Sequence, residues 1–446
     1  MISAAQENAR MLAAMLGLDE EQAAARLEKT ILITSDSVSA GWAQEIAELL
    51  ERTVGVTSDP TVNAQLELVV GAANPCSALP CLYAAIDSNG ASVSKAFKAR
   101  AGEAPDLFAA IAAAGVAAAA LAEVIADTAM PTVSLPLKID FAQFGVPAAA
   151  LEREYDLSGS VLVGAGAVAH GFIRALRHLY VSGELAIVDP KKVGSGNPNR
   201  CLYLEDTDIG KNKSEALAAR AQKDFERLSL TAFVEEYRTY ADRLGPSSTA
   251  IVTVDSRRAR RSIQKELPGR VLDASTTDIQ AVIVHSHKQL NAHACLACIY
   301  RHIPDELARE RSIAEGLGVS LEMVREAFIT PEAAALIGAH LPGRDPQQWI
   351  GMAYDSLFKQ LCGEQALRTP EGKQVLAPFA FVSMLAGALL VCELLRSEND
   401  IATTNYWAVN PWGAPISRLR RLRSRISDCE FCSKPGVETV IKELWG

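Results

Sequence analysis

The residues best suited to chemistry begin with Gly164, Gly166 and Ala169 in the run G-A-G-A-V-A, followed by Asp189 20 positions after Ala169. Glycines between a strand and a helix let the backbone approach a phosphate, the helix N-terminus favours the negative charge, and an acid closing the next strand can accept from ribose hydroxyls. Alone, this pattern means an adenine nucleotide; a nicotinamide oxidoreductase and a turn without a ligand are the alternatives. The residues beyond Asp189 separate these possibilities. Asn197, Arg200 and Lys213 come shortly after it. Cationic groups there could clamp a triphosphate and hold charge on a leaving pyrophosphate, which hydride transfer does not need. Asp255 comes directly after Val254, the last residue of an apolar strand-like run. An acid at that end of a strand faces the ligand crevice and could bind a magnesium ion bridging ATP phosphates, a role compatible with capping the next helix.

The chain has nine cysteines, four of them in the pairs Cys295-x-x-Cys298 and Cys429-x-x-Cys432. Two such knuckles could complete a tetrahedral Cys₄ zinc site; redox pairs and incidental thiols are the alternatives. Four thiolates leave no open coordination position, so such a zinc would be structural. His293 is near enough to substitute, although a local hydrogen-bonded histidine is the simpler reading. Cys392 reads as core, and Cys76 and Cys81 fall in a half with no evident site. Cys201 adjoins Arg200 and would be an unusual nucleophile, while Cys362, in Q-L-C-G-E, could be a buried thiol on the apolar face of a helix around Tyr354 to Leu361.

The elements that position these groups read as two α/β units. The first, residues 1–146, has helices over Ile2 to Leu16 and Ala40 to Glu51 and strands over Ile31 to Thr34 and Leu66 to Val70, with a proline-bearing crossing from Pro131 to Pro147. The second begins after Asp156 with the strand Ser160 to Val163, the glycine turn, a helix to about Leu179 and a strand Leu185 to Val188, a βαβ beginning. Further strands are expected at Ala250 to Val254, Arg270 to Leu272 and Gln280 to His285. The second unit is read as 147–303 and 376–446, interrupted by a charged helical insertion at 304–375.

Composition bounds the rest. With 53 acidic against 44 basic residues the net charge is −9, which argues against nucleic acid as a partner. The arginine runs Arg257 to Arg261 and Arg418 to Arg425 read as solvated faces or contacts with an acidic partner. Met1 to Arg10 lacks a secretory pattern, so a cytoplasmic protein is expected. Leu107 to Ala122 and Leu376 to Cys392 read as buried helices, and no membrane contact is expected.

Gly164, Gly166, Asp189, Asn197, Arg200, Gly210, Lys213 and Asp255, in this order, resemble the adenylation fold of ubiquitin-like activating enzymes, a family that includes the activators of bacterial sulfur carriers. The likeness covers roughly 157–300 and 376–432. Three departures stand out: Ala169 replaces a third glycine, Cys201 a usual glutamine, and Lys191 a second acid. The resemblance implies two Rossmann-like adenylation-type domains, the first degenerate, with a helical insertion and a Cys₄ zinc site at Cys295, Cys298, Cys429 and Cys432. It implies ATP, Mg²⁺ and Zn²⁺, with Asp189 on the ribose, Arg200 and Lys213 on the phosphates and Asp255 on magnesium. It also implies a ubiquitin-like β-grasp substrate, thioester formation on Cys362, a conjugating enzyme as recipient, and a possible homodimer. An arginine from the partner half often reaches the phosphates in this family, and Arg10 is a candidate. The fused first half and the insertion look most like the activators of bacterial conjugation operons linked to phage defence; sulfur-carrier adenylation is the alternative.

Overall fold

The computed structural model describes residues 3–446 except 98–101, 278, 290–291, 302–304, 327, 364–378, 400 and 402; the side chains of 277, 305–307, 359–360 and 362–363 are likewise left undescribed. Two sheets carry the chain. The first runs in the order Gly55–Thr57, Thr30–Ser35, Leu66–Val70, Cys81–Asp87, Gly90–Ser94, Leu137–Asp140, parallel up to Cys81–Asp87 and antiparallel afterwards. The expected irregular crossing is therefore partly a strand: Leu137–Asp140 closes the first sheet, with Leu137 and Ile139 inward and Lys138 and Asp140 outward. Alternation over four residues is too short to stand out beside Pro131, Pro136 and Pro147 in the sequence.

The second sheet runs Leu228–Phe233, Tyr180–Val188, Ser160–Val163, Thr249–Val252, Arg270–Thr277, Ala281–Lys288, Tyr406–Val409, Arg420–Arg421. Its first five strands are parallel and the rest antiparallel, while the short strand Glu154–Asp156 pairs separately with Tyr180–Val188. Strand order reverses at Ser160–Val163, so a crevice opens beyond its carboxyl end, between Tyr180–Val188 and Thr249–Val252.

Both long apolar runs are helices, Asp106–Ile125 and Ala380–Glu398, and 83% and 94% of their apolar windows lie buried inside the protein. Alanine, the strongest helix former, dominates the first. The second crosses the glycine-turn helix Ala167–Leu176 so closely that a Cβ on Gly171 would sit 2.4 Å from the Ser383 carbonyl, and one on Gly387 2.1 Å from the Phe172 nitrogen. One apolar core runs without a break from Leu12, Ile46 and Ile111 in the first half to Phe172, Leu389 and Trp412 in the second.

The insertion forms the helices Asp305–Leu317, Leu321–Arg325, Pro331–His340 and Tyr354–Gly363 around its own small core of Leu317, Ile337, Trp349 and Leu357. The arginine run 257–261 is not a solvated face: Arg258 serves this junction, and Arg260 and Arg261 are paired elsewhere in the second half. Arg258 is buried against Glu310 at 3.2 Å and donates to the Val324 carbonyl. Arg260 pairs with the fully buried Asp273 at 2.7 Å, and Arg261 reaches Glu430 at 3.0 Å. Within the second run, Arg420 and Arg423 stack on Trp407 and Tyr406 at 3.7 and 4.6 Å.

Candidate functional site

At the crevice Gly164 takes φ +94°, which favours glycine, and a Cβ there would also press on Val254 Cγ1 at 3.1 Å. Helix Ala167–Leu176 starts at Gly166 with no side-chain cap, and the space where a Gly166 Cβ would lie is open. Uncapped amides facing open space suit an anion. Asp189 is buried at the end of Tyr180–Val188. One carboxylate oxygen accepts from Ala165 N and the other from Lys191 N, both at 2.7 Å, so Asp189 also clamps the glycine turn to the neighbouring strand end.

Lys213 opens helix Lys213–Ala221, and its backbone nitrogen donates to the Lys191 carbonyl at 2.9 Å. Burial pulls the Lys213 ammonium below its ordinary range, against the opposing charge of Asp189. Lys191 Nζ lies 3.4 Å from Asp255 Oδ1. Burial lowers this ammonium too, but Asp255 and Asp189 outweigh it and the net shift is upward. Asp255 comes after strand Thr249–Val252, is more than half exposed, and accepts from Ser356 Oγ at 2.6 Å. Asp189, Lys191, Lys213 and Asp255 thus lie within each other's electrostatic reach.

Asn197 and Arg200 belong to the loop between Asp189 and Lys213. Asn197 Oδ1 accepts from Gly194 N at 2.9 Å, shaping the loop, and Arg200 Nη1 binds Asn199 Oδ1 at 2.8 Å and approaches Glu7 at 3.8 Å. The first half holds this loop. Arg52 donates to the carbonyls of Pro198, Leu202 and Leu204 at 2.8, 2.7 and 2.9 Å, and Asn8 Oδ1 accepts from Asn199 at 2.9 Å. Arg10 instead binds Glu20 at 3.2 Å.

In the first half the equivalent crevice is filled. Asp36, just past Thr30–Ser35, accepts from the backbone of Val38, Ser39 and Ala72, and a Cβ on Gly71 would fall 2.1 Å from its carboxylate. Burial pushes the Asp36 carboxyl up, yet these bonds outweigh it and hold it below the usual range.

Cys295, Cys298, Cys429 and Cys432 converge with every sulfur within 4.8 Å of the others. Four thiolates at about 2.3 Å around zinc stand about 3.8 Å apart. The Sγ separations of 3.7 Å for 295–298 and 3.8 Å for both 295–429 and 298–432 fit that figure, and 295–432 is shorter at 3.1 Å. These four thiols could hold zinc, and they are part of an apolar cluster with Phe431 and Ile441. Burial pushes the Cys392 thiol up to about 12 and raises that of Cys201, so neither suits nucleophilic work. Cys362 belongs to helix Tyr354–Gly363, but its side chain lies outside the described residues.

Both halves of the chain, with the geometry just given, match family models. Residues 1–147 match the E1 N-terminal domain and residues 142–431 match the ThiF family. The chain belongs to the ThiF family. It is thus an E1-like member of a family of ATP-dependent adenylating enzymes. No curated protein matches this ThiF-family chain in sequence. Among solved structures, E. coli MccB with AMPCPP and MccA aligns at TM-score 0.39 and 12% identity, covering 64% of this chain and 68% of that one. E. coli MccB alone gives 0.40 and 13% over 64% and 67%, and PaaA gives 0.27 and 19% over 33% and 45%. Likeness this remote says nothing of substrate.

Arg52 and Ser356 support the loop and Asp255 and carry no motif signal, while Lys191, named in the sequence only as a departure from the family pattern two places beyond Asp189, lies beside Asp255.

Proposed function

We propose that this chain activates the carboxy terminus of a ubiquitin-like β-grasp protein. The observation that carries the reading is the open, uncapped helix start at Gly166 with Asp189, Lys191, Lys213 and Asp255 gathered beside it, in a chain whose two halves match the E1 N-terminal and ThiF models. The glycine-turn amides would receive the phosphates, Asp189 the ribose, and Lys213 with Arg200 the charge that builds on departing pyrophosphate. Asp255, exposed and anionic, would hold magnesium, whose chemistry is to neutralise the phosphates. The partner's carboxylate oxygen attacks the α-phosphorus, the bond to the β-phosphate oxygen breaks, and acyl-adenylate and pyrophosphate result. The Cys362 thiolate then attacks the acyl carbon, forming a thioester and releasing AMP, before passing the acyl group to the thiol of a conjugating enzyme.

In this reading residues 1–146 are a non-catalytic partner half, 147–303 with 376–446 the adenylating unit, and 304–375 the cysteine-bearing insertion. The resemblance extends it to bacterial conjugation operons linked to phage defence. The test is exchange of labelled pyrophosphate into ATP, dependent on an added β-grasp protein. Exchange that persists in Cys362→Ala with loss of a reducible thioester supports conjugation. A thioester that survives the substitution moves the nucleophile elsewhere, and exchange with no thioester in the unsubstituted chain makes this a sulfur-carrier adenylyltransferase. No exchange with any β-grasp protein sinks the proposal.

A further inference from the structure

Three hydrogen bonds in single file join Arg200 to the first half of the chain. Arg200 Nη1 donates to Asn199 Oδ1 at 2.8 Å, Asn199 Nδ2 donates to Asn8 Oδ1 at 2.9 Å, and Asn8 Nδ2 donates to the Arg52 carbonyl at 2.6 Å. A guanidinium can only donate and a carbonyl can only accept, so the two ends fix the direction of every bond between them. Reversing either amide would set nitrogen against nitrogen or oxygen against oxygen. Asn8 and Asn199 are 4% and 3% exposed, so a broken link leaves a buried amide unpaired instead of handing it to water. Glu7 Oε1 stands 3.8 Å from Arg200 Nη1, beyond hydrogen-bond reach, so Asn199 and the Gly196 carbonyl, at 2.8 and 3.2 Å, are what orient the guanidinium. Both of these bonds fall on Nη1, while Nη2 and Nε bond no described residue and remain for a ligand. The Arg52 guanidinium meanwhile holds the carbonyls of Pro198 and Leu202, on either side of Arg200.

We propose that Asn8, on helix Ala4–Leu16 of the first half, is a positioning residue for Arg200 and acts through Asn199. The proposal rests on the phosphate role given to Arg200 above. A guanidinium meets phosphate oxygens in a fixed fork, and one already held at Nη1 has less freedom to lose when it does so. The first half thus contributes to nucleotide binding through a residue that need not touch the nucleotide. The plainer role for Asn8, a clasp between the halves, predicts lost stability with no preference among nucleotides.

The experiment titrates the full-length chain with AMPCPP and, separately, with AMP, which lacks the phosphates assigned to Arg200. Asn8→Leu is expected to weaken AMPCPP binding tenfold or more while changing AMP affinity less than twofold. In an Arg200→Ala background the same substitution should change AMPCPP affinity less than twofold, because the group it positions is gone. Asn8→Ala is measured beside Asn8→Leu, so that misfolding of one variant does not decide the matter. Unchanged AMPCPP affinity in a folded variant, equal losses for AMPCPP and AMP, or a loss that persists without Arg200 each overturn the role of Asn8 and leave the nucleotide reading standing. Arg200→Ala that binds AMPCPP as the unsubstituted chain does overturns the phosphate role of Arg200 and the proposal with it. Failure of the unsubstituted chain to bind AMPCPP at all overturns the nucleotide reading itself.

Discussion

Ser356 Oγ donates to Asp255 Oδ1 at 2.6 Å, so the helix that carries Cys362 is tied by its first turn to the carboxylate beyond strand Thr249–Val252. A hydrogen bond to a charged acceptor contributes about 1.5–3 kcal/mol, less where the acceptor is exposed, as Asp255 is. Ser356→Ala is expected to loosen the insertion without unfolding the sheet. Amide hydrogen exchange over residues 354–361 should rise severalfold while strands Ser160–Val163 and Thr249–Val252 keep their protection; an unchanged helix would show that the tie is incidental.

The two turn glycines should respond oppositely to the same substitution. Gly164→Ala forces φ +94° on a residue with a Cβ and presses it against Val254, an expected loss of about 1–3 kcal/mol in stability. Gly166→Ala meets open space at an ordinary φ, so its stability should stay within about 0.5 kcal/mol. Titration with AMPCPP should nevertheless show at least a tenfold weaker complex for Gly166→Ala, because the methyl group points into the space meant for the ligand.

Glu45 of the first half makes a bidentate contact with Arg174 of the second at 2.7 and 2.8 Å and accepts from Arg177 at 2.7 Å, with Glu48 also on Arg174. Burial raises the Glu45 carboxyl, but the Arg174 bond and the charges of Arg174 and Arg177 outweigh it and hold it low. Removing one partner leaves the other buried charge with a single ion pair, Arg174 with Glu48 or Glu45 with Arg177, so Glu45→Ala or Arg174→Ala should each cost at most about 3–5 kcal/mol in urea unfolding. The double variant should lose less than the sum of the two. Additive losses would mean the pair is not coupled.

Acid should destabilise the fold through histidines that are buried neutral. Burial pulls His170 and His287 down to about 3, from an ordinary value of 6.5. Between those values the unfolded chain binds protons that the folded chain refuses, so the contribution is intact above pH 6.5 and is lost as pH falls toward about 3. The slope is about 1.4 kcal/mol per pH unit for each histidine. Melting temperatures of His170→Gln and His287→Gln should fall less steeply from about pH 7 to about pH 5 than that of the unsubstituted chain; parallel curves would rule this source out.

Metal analysis should find one zinc per chain and none in Cys298→Ser/Cys432→Ser. The cluster joins residues 295–298 to 429–432, and beyond it helix Val437–Trp445 packs back through a bond from Trp445 Nε1 to the Leu267 carbonyl at 2.9 Å. Chelation should therefore expose the chain after Ile426 to protease first, with AMPCPP binding preserved. Full-length protein that purifies without metal and resists cleavage there would contradict a zinc role.

Much of the α/β order was legible because local rules act within a few residues. The strand Ser160–Val163, the turn at Gly164 and the strand ending near Asp189 are each set by neighbouring residue types. The pairing of two CxxC knuckles could be suspected from spacing, yet only the antiparallel return of Tyr406–Val409 beside Ala281–Lys288 carries the chain back far enough to bring them together. The arginine run 257–261 misled, since charge in a sequence reads as solvent, whereas Glu310 and Asp273 lie 52 and 13 positions away from Arg258 and Arg260 and compensate them inside the fold. Short strands such as Leu137–Asp140 and Arg420–Arg421 gain their hydrogen bonds from partners already in place and carry little pattern of their own. By itself the sequence determined which groups can do chemistry, because residue type sets charge, donor capacity and the backbone freedom of glycine. Only tertiary structure decided how they are held: Arg52 and Glu45 reach across from the first half, and Ser356 comes onto Asp255 from the insertion, through contacts more than 100 positions apart that no local periodicity encodes.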